Sequence, residues 1–214
     1  MRTGFPLAVG LLLLFLAPIS RAPACPSGLN LIPTAAVLAD RELAVEYMVA
    51  GQQLFDQDCG HWLLLQAGIG GRLELGVDRC FRGENDTVGN VKYLLSPPAP
   101  GRPAVAVGVQ ALAGEAAAQP YLAASAEAAR LRLHAGVIWV ERHGEPMLGL
   151  EAPLSSRLTL LADHLAGADN GSGIGLSAEL NESLYVTASR YLANAGGEDD
   201  GWQLVFSYYY QIGG

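Results

Sequence analysis

The sequence predicts an all-β protein: an antiparallel, up-and-down transmembrane β-barrel of about 12 strands, arranged as six hairpins. Three observations predict it. Segment after segment alternates apolar residues with small or charged ones, the period-2 signature of a strand with one greasy face. Strand starts recur at a steady interval: Arg41, Arg72, Arg102, Arg130, Arg157 and Ser183 lie 31, 30, 28, 27 and 26 residues apart. Connections between the segments alternate short with longer and polar, as in barrels with short turns at one rim and loops at the other.

Ahead of the barrel, residues 1–24 read as a secretory signal peptide. Arg2 precedes an apolar run from Leu7 to Ile19, and Ala22-Pro23-Ala24 supplies the small-residue end. That run is short of the roughly 20 residues a spanning helix needs. Cys25 would then head the mature chain, which opens a lipoprotein alternative, although Ala22 stands where a lipobox usually has Leu. Residues 25–40 follow as an extended segment, and the barrel occupies 41–214. Without Arg2 and Arg21 the chain keeps 11 basic against 21 acidic side chains, a net charge of −10. That balance excludes a nucleic-acid partner, which needs a basic footprint. The chain is 50% hydrophobic and only 16% charged. With no long apolar helix, this leaves either a thick core or a membrane barrel.

Within the barrel, strands are expected at about 41–50, 60–68, 71–79, 88–96, 103–112, 119–126, 130–140, 145–152, 157–165, 172–181, 183–192 and 201–212. The stretch "AGIGGRLELGVDRC" at 67–80 shows how they are recognised. Its glycines could suggest a phosphate loop, but a dinucleotide fingerprint needs a helix to open next. Instead Leu73, Leu75 and Val77 alternate with Glu74, Gly76 and Asp78. The glycines are a hairpin turn. "GSGIG" at 171–175 reads the same way. Leu131, Leu133, Ala135, Val137 and Trp139 alternate with Arg132, His134, Gly136 and Ile138, and the pattern returns through Trp202 to Tyr210. One proline-rich link, 96–103, is longer than its position in the alternation requires.

A twelve-stranded open sheet with one apolar face would expose unpaired edges and a large greasy patch. Closing it with that face toward lipid removes both problems. The partner is then outer-membrane lipid, reached through the barrel-assembly machinery, and the compartment is the outer membrane. The lumen is expected to hold Glu74, Asp78, Lys92, Arg132, His134 and Glu179 among glycine and alanine. Trp62, Trp139, Trp202, Tyr208 and Tyr210 suit an aromatic girdle. If the 60–68 and 71–79 strands pair around Ile69 and Gly70, Cys59 and Cys80 face each other, and a disulfide is expected between them.

No catalytic, cofactor or metal motif emerges. His61, His134, His143 and His164 form no zinc pattern, and no serine sits in a nucleophile elbow. Glu74, Asp78, Glu151, Asp163 and Glu179 could pair for glycoside chemistry, yet any barrel lumen supplies such carboxylates. The acidic glycine-rich stretches 167–173 and 196–201 could hold a cation weakly but read first as polar loops. Asn85, Asn170 and Asn181 open glycosylation sequons that bacterial-type export makes incidental.

The opening of the mature chain carries a likeness. Gly28, Leu29, Asn30, Ile32, Pro33, Thr34 and Ala35 resemble the "G-L-x-N-I-P-T-A" start of YjbH-type outer-membrane proteins. "GGRLELGVD" and "VKYLL" are similar to that family's barrel strands. The resemblance implies an outer-membrane barrel linked to exopolysaccharide production or export, with polysaccharide or export components as partners and no catalytic residues. The chain is short for that family and ends "YYYQIGG" rather than on a terminal aromatic residue. The function expected is structural, export-related or pore-forming. The alternatives are an exported soluble β-barrel with a hydrophobic ligand inside, its faces reversed, and a secreted hydrolase.

Overall fold

A computed structural model gives the structure; it describes residues 27–53, 59–82, 87–112, 117–195 and 200–213. The expected signal peptide, Cys25, Asn85 and most of the 196–201 loop lie outside them. Twelve strands follow in order: β1 Glu42–Gly51, β2 Gly60–Ile69, β3 Leu73–Arg82, β4 Thr87–Ser96, β5 Ala104–Gln110, β6 Gln119–Ala128, β7 Leu131–Val140, β8 His143–Pro153, β9 Leu158–Leu165, β10 Gly171–Asn181, β11 Leu184–Ala193 and β12 Gly201–Gln211. Each pairs antiparallel with its sequence neighbours, and β1 pairs with β12, so the sheet closes. This is the up-and-down transmembrane barrel that the alternation predicts. The strands are 7–11 residues long, close to the bilayer-spanning length.

The pleat sorts side chains as the sequence implied. Leu75, Val77, Leu133, Leu148, Ile174 and Phe206 point outward, with Leu148 60% exposed. Glu74, Asp78 and Lys92 point inward and are fully buried. The reversed arrangement, with the apolar face inside, does not hold. An outer wall of bare leucine, valine and aromatic side chains is stable against hydrocarbon and unstable against water.

Three expectations are corrected. The first is the disulfide: Cys59 and Cys80 are not bonded to each other. The turn between β2 and β3 spans Gly70, Gly71 and Arg72, and both glycines adopt a left-handed φ near +60°. This longer turn shifts the register, so Gly68 pairs with Glu74 and Cys80 pairs with Trp62. Cys80 alternates with Glu74 and Asp78 on the inner face. Cys59 precedes β2 and packs against Val49 and Trp202 on the outer side. The thiols therefore lie on opposite sides of the wall. The second correction follows from the same register. Trp62 pairs with inward-facing Met48 and packs with Leu64 inside the barrel, away from any girdle. The third concerns Trp202, which has the outward parity but is only 1% exposed, packed in a cluster with Val49, Cys59 and Leu204. Trp139, Tyr208 and Tyr210 do stand outward and exposed. The β7–β8 connection is also tighter than expected: β8 starts at His143, leaving Glu141 and Arg142 as the link, with Glu141 at φ 56°.

Candidate functional site: a plugged lumen

The lumen is filled by the chain's own N-terminal segment. Residues 27–40 run inside the barrel before turning into β1, and Gly28 and Pro33 bridge to fold part of the segment back on itself. Leu31, Ile32, Ala35 and Leu38 are buried. Leu31 and Ile32 pack among Tyr121, Ala123, Ile138, Met147 and Leu165 from four inner strand faces. Complete burial of a leucine or isoleucine side chain contributes about 1.5–3 kcal/mol. This apolar patch and a smaller one, where Ala35 packs on Leu94, Ala104 and Ala106, seat the plug.

Polar groups of the wall hold the plug's backbone at three places in the lumen, and a further pair of bonds ties it at the rim. On β9, the Asp163 carboxylate accepts the N–H groups of Leu31 at 2.6 Å and Ile32 at 3.2 Å, and the Asn30 side-chain amide at 3.2 Å. Successive backbone donors converging on a buried carboxylate give strong, directional bonds. On β3 and β4, Glu74 and Lys92 pair at 3.6 Å with both side chains fully buried. Lys92 Nζ donates to the carbonyls of Ser27 at 3.2 Å and Ala36 at 2.8 Å, and Glu74 accepts the Leu38 N–H at 2.9 Å and the Ser27 hydroxyl. The plug buries this ion pair and at the same time supplies hydrogen-bond partners for it. At the rim, Gly70 N–H donates to Asp40 at 2.6 Å, and Arg41 N–H to the Gly68 carbonyl at 3.0 Å. Gly68 is required there: a Cβ would lie 2.0 Å from the Ala39 carbonyl oxygen.

The third anchor has the composition of an acyl-transfer triad. Ser125 Oγ lies 2.8 Å from His134 Nδ1, and His134 Nε2 lies 3.0 Å from Glu151 Oε1. Its surroundings make it a latch. The Ala35 N–H donates to Ser125 Oγ at 3.0 Å, so the plug's backbone engages the hydroxyl that pairs with His134. Ser125 and His134 are both buried, and the plug's Ala35 lies against the hydroxyl.

Of the six lumen-facing residues expected from sequence, three gather at the plug and three lie elsewhere on the inner wall or at its rim. Glu74, Lys92 and His134 are anchors. Asp78 accepts from the Asn90 amide at 2.5 Å, one step further along the wall. Arg132 sits at the turn rim, paired with Glu127 at 2.7 Å and Glu151 at 3.4 Å. Glu179 faces a remaining cavity of ≈ 530 Å³, which reaches the short-turn rim at Ser156, Arg157 and Glu182. Sequence reading missed Ser125 and Asn30, and treated Asp163 only as a spare carboxylate. Their roles arise from contacts 90 and 132 residues apart, which no local motif encodes. The described residues hold no group of three or more metal-ligating side chains.

The fold and the filled lumen define a class: a plugged, twelve-stranded transmembrane β-barrel. No family model and no curated protein matches the chain. Among solved structures it is similar to the KdgM porin, at a TM-score of 0.59 and 12% identity, covering 77% of this chain and 98% of that one. The KdgM porin in complex with disordered oligogalacturonate gives 0.59 at 10% identity with the same coverage. The NanC porin gives 0.51 at 9% identity, covering 79% of this chain and all of the porin. These likenesses are likenesses of fold.

Proposed function

We propose that this chain is a non-enzymatic outer-membrane barrel that forms a plugged pore serving polysaccharide export at the cell envelope. The observation that carries the reading is the occupied lumen: residues 27–40 are held by Glu74, Lys92, Asp163 and Ser125 across the barrel's interior. A purely structural barrel has no need of a separately anchored filler; a pore that must stay shut does. The apolar outer wall supports the outer membrane as its place and lipid as its neighbour. The fold shared with KdgM and NanC porins supports a pore. The resemblance to YjbH-type proteins supports the polysaccharide link, and the residues that carry it, Gly28 to Ala35, are themselves the plug.

The test is to place the full-length chain, and a variant lacking residues 29–37, in a Gram-negative host and then in planar bilayers. Both should fractionate with the outer membrane and migrate differently on gels when unheated and boiled. The intact chain should conduct little and the variant steadily. A soluble periplasmic product without a heat shift sinks the reading. Equal conductance of the two would show that the plug closes nothing.

A further inference from the structure

We propose that one arc of the short-turn rim, from β2 to β7, binds anionic phospholipid headgroups through Arg72, Arg102 and Arg130. The inference rests on the membrane-barrel reading above. It adds which lipid chemistry the barrel selects, and where.

The sequence repeat places the arginines. Three successive short connections, β2–β3, β4–β5 and β6–β7, each carry one arginine just ahead of the next strand. All three side chains are exposed. Neighbouring connections lie two strands apart in the closed sheet, a spacing on the order of 10 Å. None of the three has an ion-pair partner among the described residues. The acids nearest them in the chain are committed elsewhere: Glu74 is buried against Lys92, and Glu127 holds Arg132 at 2.7 Å. The rest of the same rim differs. Arg41 lies 3.8 Å from Asp40, and Arg157 stands with Glu182 at the mouth of the cavity. Unneutralised positive charge is thus confined to one arc.

That arc lies where the apolar wall ends. Tyr93 and Leu95 on β4, and Leu131 and Leu133 on β7, stand outward and exposed. Tyr93 pairs with Leu73, which follows Arg72, and Leu131 follows Arg130. A bare apolar wall requires hydrocarbon against it, so its edge marks the headgroup layer. An arginine at that edge keeps its stem on the wall and its charge in the polar layer. Its planar fork matches two oxygens of one phosphate. The chain as a whole is acidic, with 21 carboxylate side chains against 13 basic ones. Its overall field therefore repels anionic lipid, and a preference for such lipid has to come from a local cluster.

The experiment is native mass spectrometry of the full-length chain in detergent, first shown to be heat-shifting and hence folded. The probes are phosphatidylglycerol and phosphatidylcholine with identical acyl chains, offered in equal amounts. The chain should retain phosphatidylglycerol over phosphatidylcholine by about tenfold, and the preference should shrink as salt rises. The triple variant Arg72→Gln/Arg102→Gln/Arg130→Gln should lose the preference to within about twofold, and each single variant should lower it about two- to fivefold. The corresponding triple lysine variant keeps the charge and should keep most of the preference; the single variants serve if a triple variant loses its heat shift. Arg79→Gln/Arg142→Gln, toward the opposite rim, should leave the preference within about twofold of that of the intact chain. Equal retention of the two lipids overturns the proposal, as does a preference that survives the triple glutamine variant or falls equally with the opposite-rim pair. Trigalacturonate that binds in a manner lost with the same three arginines, with no lipid preference, would make the arc a polymer contact and overturn it too. All of these leave the barrel reading standing; a chain with no heat shift fails that reading first.

Discussion

Lys92 is the side chain whose position asks most of its surroundings. It is fully buried, 3.6 Å from a fully buried Glu74, and donates to two plug carbonyls. Removing one partner of such a pair leaves the other charge buried without compensation, at a cost of about 3–5 kcal/mol. Lys92→Met should therefore lower the urea midpoint of unfolding and loosen the plug, and adding Glu74→Gln should recover part of the loss. The alternation of β3 and β4 places both residues inside, and that much is legible in the sequence. What they bond to is not, because Ser27 and Ala36 reach them from 65 and 56 residues away. The cysteines show the same boundary. Their spacing suggests a bond, but a turn one residue longer than the pattern implied, and two glycines able to adopt its φ values, send them to opposite faces.

At the scale of elements, the twelve strands were readable because each has its own period, and the period depends only on which face meets lipid. The plug was not readable as a plug. Residues 25–40 have no period, and their apolar residues Leu31, Ile32 and Leu38 look like those of any extended leader. Their destination is encoded in the wall, where lumen positions carry small residues that leave room for a second backbone. Gly68 states this most sharply, since any side chain there collides with the Ala39 and Leu38 carbonyls. Gly68→Val should displace the plug at its root while leaving the β2–β3 ladder paired. The measurement is bilayer conductance together with protease cleavage within 27–40, and both should rise above those of the intact chain. Cleavage unchanged from wild type would mean that the segment is not seated against β2.

For the whole molecule, the decisive surface is the outer wall. Leu148, at 60% exposed, stands midway along β8. Leu148→Arg should cost about 2–4 kcal/mol if that position faces the middle of a bilayer. In water the same exposed substitution should fall within about ±0.5 kcal/mol. Unfolding from lipid vesicles separates the two outcomes. Closure of the barrel has a further consequence for how the molecule is made. The seam joins Glu42–Gly51 to Gly201–Gln211, so it can zip only after the last strand has been synthesised. The plug is tethered directly to one side of that seam. The barrel therefore carries its stopper on one lip of its own seam: the strand that closes the cylinder and the segment that fills it are one continuous stretch of chain.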